Sequence, residues 1–237
     1  SCYTIIGGTA CQMVIDDLGG EFRATHDLDL VVIVDASRYE CFGKAFWAFV
    51  REGGYVPSKG SKGKTCFYRF RNPNREGYPR EIELFSRSPL DEPADLSRRV
   101  IPIPLSESIS SLSAILLDDS YYELLLRGRK VVAGVSVLGV EWLILFKMKA
   151  RVDLLERSAS SGGVDSRDLK KHQKDVVRLW EYADTEMRID VPDDVKTDIL
   201  AFFEGTDITS GQLRAMGIEE EMETIEKELR RMYGVAS

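Results

Sequence analysis

The nine residues His26-Asp27-Leu28-Asp29-Leu30-Val31-Val32-Ile33-Val34 limit what this chain can fold into more than any other stretch. A run this rich in Val and Ile predicts a β-strand. Side chains on a strand alternate between faces, so Asp27 and Asp29 point the same way, within reach of one metal ion. Two like charges side by side are costly unless a cation neutralises them. Upstream stands Ile5-Ile6-Gly7-Gly8-Thr9-Ala10. This reads as a short apolar strand, a Gly-Gly turn with a hydroxyl, and the start of a helix whose backbone N–H groups can hold a phosphate. A phosphate grip beside Asp-x-Asp is the equipment of metal-assisted phosphoryl or nucleotidyl transfer.

The length of 237 residues suits one large domain or two small ones. With 43% hydrophobic and 30% charged residues, the composition is that of an ordinary globular protein. Cys2, Cys11, Cys41 and Cys66 lie far apart, which suggests neither a zinc site nor a disulfide scaffold and fits a reducing cytoplasm. The longest apolar region, 131–146, is broken by Ser136 and Glu141 and is too short for a membrane span. No signal peptide precedes the first strand. The sequence starts at Ser1, almost directly on that strand, which raises the expectation of a missing upstream segment. A net charge of −7 argues against a general nucleic-acid coat.

Patterning predicts strands over 3–7, 27–34, 65–71, 80–86 and 130–138, and helices over 9–18 and from a Ser37 cap to Arg51. Phe42, Ala45, Phe46 and Phe49 form one face of the second helix, and Gly53-Gly54 ends it. Residues 88–110, rich in Ser and Pro, read as irregular. Residues 112–117 and 121–126 read as helical. Beyond Gly139 the pattern is helical throughout, over 140–157, 166–183, 193–204 and 217–232, with Ser158–Gly163 as a loop. The expectation is an α+β chain: an α/β domain over 1–139 and a helical domain over 140–237.

Other residues are candidates for the chemistry. Glu81 and Glu83 alternate with Ile82 and Leu84, so one of them can supply a third carboxylate. Glu83 is preferred because apolar residues flank it, as they flank Asp29. The plainer alternative is an exposed polar strand face. Lys147 falls within the apolar stripe Leu143, Phe146, Ala150, Leu154, where a lysine either snorkels outward or points into a cleft as a clamp on a triphosphate. In Lys171-His172-Gln173-Lys174-Asp175, Lys171 and Asp175 have the spacing of a surface pair, and His172 that of a core histidine. Seven Lys/Arg against one acid lie between Lys59 and Arg80, interleaved with Phe67, Tyr68, Phe70 and Tyr78. This strip suits either a polyanion such as RNA or a hairpin edge protected from aggregation. Gly60-Ser61-Lys62-Gly63-Lys64-Thr65 ends like a P-loop but lacks the first glycine and precedes strand-like sequence, so it is set aside.

Together these residues resemble the polymerase-β-like nucleotidyltransferase superfamily, and within it the AbiEii-type nucleotidyltransferases, the toxin half of a class of bacterial toxin–antitoxin pairs. The resemblance rests on Gly7-Gly8-Thr9-Ala10 and on Arg23-Ala24-Thr25-His26-Asp27-Leu28-Asp29. More loosely, it includes Lys147-Met148-Lys149-Ala150 and Lys171-His172-Gln173-Lys174-Asp175. It covers about residues 3–180. It implies a nucleotidyltransferase-like mixed sheet followed by a helical bundle. It also implies Mg²⁺ on Asp27 and Asp29 with Glu83 as a less secure third ligand, phosphates on Gly7, Gly8 and Thr9 beside Arg23, a nucleotide contact from Lys147, and an active-site acid in Asp175. Two Mg²⁺ ions would align an NTP for attack by an acceptor hydroxyl. The acceptor expected first is RNA, such as a tRNA 3′ end held by the Lys59–Arg80 strip. A small molecule such as an aminoglycoside is the alternative acceptor, and a non-catalytic nucleotide-binding or interaction module the alternative role. A cognate antitoxin is implied by the resemblance alone.

Overall fold

The computed structural model describes residues 1–33, 39–59, 65–87, 100–103, 112–161 and 166–236. They divide into two compact units, one of residues 1–17 and 23–138, the other of 18–22 and 139–237.

The first unit is a mixed sheet with three helices among its described residues. The chain runs through β1 (Tyr3–Ile6), α1 (Gly7–Asp17), β2 (Asp27–Val32), α2 (Tyr39–Gly53), β3 (Val56–Lys59), β4 (Thr65–Arg71) and β5 (Glu81–Ser86). It continues through β6 (Val100–Ile103), β7 (Leu112–Leu116), α3 (Asp119–Gly128), β8 (Arg129–Val132) and β9 (Val135–Leu138). The main path across the sheet is β3-β4-β5-β2-β1-β9-β8, and β7 joins it by pairing with both β5 and β6. Three central neighbours matter most: β1 is antiparallel to β2, β2 is parallel to β5, and β5 is antiparallel to β4.

Burial follows the sequence pattern. Leu30, Val31 and Val32 are buried while Asp27, at the start of β2, is exposed. Ile82 and Leu84 are fully buried and alternate with Glu81 and Glu83. On the Ile82 side of the sheet, Phe70 lies in register with Ile82 and meets Phe46 and Trp47 of α2 edge-on, at 5.3 and 5.6 Å between ring centres.

Four expectations for this unit change. Residues 112–116 form a strand, not a helix. The run is short enough for either, and pairing with β5 and β6 decides it. Residues 100–103, expected to be irregular, form β6. The single strand expected over 130–138 is a hairpin turning at Ala133 and Gly134, both with positive φ (48° and 79°), the geometry that two-residue hairpin loops require. Strand β3 was hidden by Pro57, which an edge strand tolerates because no ladder bond is lost on its outer side. The expected Ser37 cap, the P-loop decoy at 60–64 with Lys62 and Lys64, and most of the 88–110 connection lie outside the described residues.

The second unit is helical: α4 (Val140–Ser161), α5 (Ser166–Trp180), α6 (Asp193–Glu204), α7 (Ser210–Ala215) and α8 (Met222–Met232). Helix α4 continues through Ser158–Ser161, expected as loop. Helix α7 is too short for periodicity to reveal, but Thr209 and Gln212 form a complete capping box at its start. Helix α8 begins at Met222 instead of 217, since Gly217 sits at φ +86°, outside helical geometry. Leu143, Ile144, Val176, Leu179, Ile199, Phe202, Ile225 and Leu229 are fully buried in this unit. Gly20 joins it by close approach: a Cβ there would stand 2.2 Å from the Tyr182 hydroxyl oxygen. Arg151 is buried, donates to the Phe202 and Gly205 carbonyls at the end of α6, and lies over the Phe202 ring. Burial lowers its pKa, and the charge of Asp207 opposes that shift. Among the described residues no helix is long and apolar enough to cross a membrane.

Candidate functional site: a carboxylate face beside a glycine turn

The end of β1, the starts of β2 and β5 and the start of α1 converge at one edge of the first unit. This follows from register. Ile6 pairs with Asp29, Asp27 with Glu81, and Asp29 with Glu83. In-register neighbours share a face, so four carboxylates occupy two adjacent strands about 4.8 Å apart. One backbone bond and one side-chain bond hold the approach to β5. Arg80 N donates to the His26 carbonyl at 2.6 Å, and the Tyr55 hydroxyl donates to the Pro79 carbonyl at 2.6 Å. Burial pushes the Tyr55 phenol up to about 12, with Tyr78 adding to it, so it stays a donor at neutral pH.

The glycine turn lies directly against the Asp-x-Asp strand. Helix α1 starts at Gly7, two residues earlier than expected, with φ +69° there. A Cβ on Gly7 would stand 1.9 Å from Asp29 Oδ2, so only glycine lets the backbone approach this carboxylate. A Cβ on Gly8 would meet Thr25 Oγ1 at 2.6 Å, with the Arg23 guanidinium beyond at 3.6 Å. The Thr9 hydroxyl donates to the Asp27 carbonyl at 2.5 Å, fixing the helix start on β2. Gly7, Gly8, Thr9, Arg23, Asp27 and Asp29 thus form one neighbourhood.

Glu83 belongs to the same face but has another partner. Arg69 Nε donates to Glu83 Oε1 at 2.5 Å, its Nη2 contacts the same oxygen, and its Nε lies 3.5 Å from Glu81 Oε1. Arg71 Nε donates to Glu81. That hydrogen bond is the main cause of the raised Arg71 pKa; burial opposes it, and the charges of Glu81, Glu83 and Asp27 add to it. Sequence reasoning missed these partners by treating the arginines as part of a basic strip. The signal was present as Arg-x-Arg in one strand and Glu-x-Glu in the next. Arg75 lies 3.6 Å from Glu52. Three members of the strip therefore face acids that come from outside it, and this part of it is no bare polyanion surface.

Among the described residues no group of three or more His, Cys, Asp or Glu side chains is placed to hold a metal ion. The Asp27–Asp29 pair still fits Mg²⁺. That ion takes hard oxygen donors and is commonly held by one or two carboxylates, with substrate phosphates and water completing its shell.

Burial pushes the Glu83 carboxyl above its ordinary range. Arg69 opposes the shift, and the charge of Glu81 adds to it. Folded protein thus holds this proton more tightly than unfolded chain. The stabilisation is complete below the ordinary carboxylate pKa and is lost as pH rises through the raised folded value. The stability of wild type relative to Glu83→Gln should fall over that window. Denaturant titrations from about pH 4 to 7 measure it, and a difference independent of pH would refute the assignment.

Lys147 and Asp175 lie in the second unit. Lys147 Nζ donates to Asp175 Oδ2 at 2.8 Å, and their side chains are only 5% and 4% exposed. Lys147 therefore neither snorkels nor presents a bare ammonium. The surface pair expected between Lys171 and Asp175 is replaced by this buried one, and Lys171 is exposed. His172 is half-buried on α5. Comparison of the chain with protein-family models, curated proteins and solved structures returned no match.

Proposed function

We propose that the first unit binds an NTP with Mg²⁺ and transfers its nucleotide to an acceptor hydroxyl. One observation carries this reading: the glycine turn at the start of α1 packs onto the Asp29 carboxylate, on the face that also bears Asp27. Helix N-termini favour anions, and carboxylates favour cations. A metal-bound triphosphate satisfies both at once. The bound metal would supply charge neutralisation and Lewis-acid polarisation of the phosphate oxygens. Asp27 and Asp29 would hold it. The N–H groups of Gly8 and Thr9 would hold phosphate, and Arg23 stands beside them. Transfer of this kind depends mostly on positioning and charge, so the lack of a nearby histidine cluster is no obstacle.

The test is incubation with each α-labelled NTP and Mg²⁺, with total RNA or an aminoglycoside as acceptor, beside Asp27→Asn. Label on RNA that needs both Asp27 and Mg²⁺ supports RNA as acceptor. Label on the aminoglycoside alone moves the acceptor to small cations. Neither labelling nor pyrophosphate release with any NTP defeats the proposal.

A further inference from the structure

We infer that Tyr55 is a positioning residue for Asp27, acting through two peptide groups without touching the carboxylate. The inference rests on reading Asp27 as a ligand of the nucleotide-bound metal.

Asp27 needs support from outside its own strand. It is the first residue of β2 and is exposed. Exposed strand ends open readily, and a carboxylate holds an ion well only where its backbone is fixed. The tie at this end is the bond from Arg80 N to the His26 carbonyl, 2.6 Å long. That carbonyl belongs to the same planar peptide as the Asp27 N–H, so the bond fixes the plane from which the Asp27 side chain departs.

The Arg80 amide is held in turn. Its peptide carries the Pro79 carbonyl, which accepts from the Tyr55 hydroxyl at 2.6 Å. One peptide group therefore accepts on one side and donates on the other, and each bond polarises it for the next.

Tyr55 is built to be rigid. Its ring is buried, with its centre 6.1 Å from those of both Phe49 and Tyr78. Its N–H donates to the Val50 carbonyl at 3.0 Å, and that of Gly54, at φ +65°, to the Arg51 carbonyl at 3.1 Å. These two bonds form the Schellman end of α2. Asn74 N donates to the Gly53 carbonyl at 2.9 Å. The end of α2 thus grips residues 74–80 at both ends and passes its rigidity to the start of β2.

Tyr55→Phe keeps the ring and removes the hydroxyl. In the metal-free chain it should speed hydrogen exchange at the Arg80 amide about tenfold, the worth of one net hydrogen bond. It should also weaken Mn²⁺ binding about tenfold, with free ion counted by electron paramagnetic resonance. Tyr78→Phe trims a hydroxyl from the same ring cluster, one bonded to Glu52 and Arg75 instead, and should leave both readouts unchanged. An Mn²⁺ ion that depends on Asp27 but binds Tyr55→Phe as tightly as wild type would overturn the inference alone. So would unchanged exchange at Arg80. No Mn²⁺ on wild type, or an ion that Asp27→Asn holds equally well, would defeat the metal reading and the inference with it. If Tyr55→Phe does not fold, wild type decides. Coupling is reciprocal, so saturating Mg²⁺ should slow Arg80 exchange by about the same factor, and exchange that Mg²⁺ leaves unmoved would overturn the inference.

Discussion

Asp175→Ala should destabilise the helical unit by about 3–5 kcal/mol, the usual consequence of leaving one buried charge without its partner. The Lys147 ammonium now donates to Asp175 at 2.8 Å in a region where both side chains are almost wholly enclosed. Removing the acid leaves a cation in a poorly solvated place; it must lose its proton or draw in water, and either costs free energy. Lys147→Met with Asp175→Leu should recover most of the loss, because apolar pairs of similar volume often replace buried ion pairs at little cost. Denaturant unfolding followed by tryptophan fluorescence measures both variants. Trp180 reports on this unit through its hydrogen bond to Glu228 at 2.9 Å. A single variant within about 1 kcal/mol of wild type would mean that the pair contributes little. The double variant also bears on the roles that the family resemblance implies for these residues. If it is folded and still transfers nucleotide, neither Lys147 nor Asp175 is needed for the chemistry.

A large effect on activity is expected from one methyl group. Gly7→Ala places a Cβ where 1.9 Å separates it from the Asp29 carboxylate oxygen, so the carboxylate or the turn must move. Displacements near 1 Å in such sites cost on the order of a hundredfold in rate. A further backbone penalty of about 1–2 kcal/mol arises because φ there is +69°. Gly134→Ala separates the two contributions. Gly134 has φ +79° with nothing within 4 Å of the position its Cβ would take. It should lose comparable stability and keep its activity. Asp29→Asn should do the reverse, losing transfer by about a hundredfold or more with its thermal midpoint nearly unchanged. Equal activity in wild type and Gly7→Ala, measured as pyrophosphate release, would remove the glycine turn from the site.

The parts of this arrangement that were legible in sequence are those set by period. Alternation in β2 and β5 placed Asp27, Asp29, Glu81 and Glu83 on strands with their apolar neighbours inward; the described burial alternates so in β5, whereas in β2 Leu28 and Asp29 are both half-buried and Leu30, Val31 and Val32 are all buried. What sequence did not give was partnership, because register is a long-range property. Nothing local pairs Arg69 with Glu83, 14 residues away, or Lys147 with Asp175, 28 residues away. Short apolar runs failed for a related reason. Residues 112–116 fit helix or strand alone, and only pairing with β6 and with the Phe85–Ser86 end of β5 chooses between them. The hairpin over 129–138 was hidden because Ala133 holds a positive φ that Asn or Gly would have advertised.

The close approach of Gly20 to Tyr182 has a consequence for the order in which this protein can complete itself. Residues 18–22 lie in sequence between α1 and β2, yet they belong to the unit made from 139 onward. On a ribosome they emerge early, while the ring they meet arrives about 160 residues later, which at ordinary synthesis speeds is on the order of ten to thirty seconds. During that interval the segment has no partner in the helical unit, and the connection from α1 to β2 must be held by the sheet alone. Neither unit is a continuous stretch of chain, so cutting after Leu138 separates Gly20 from Tyr182 and leaves both fragments incomplete.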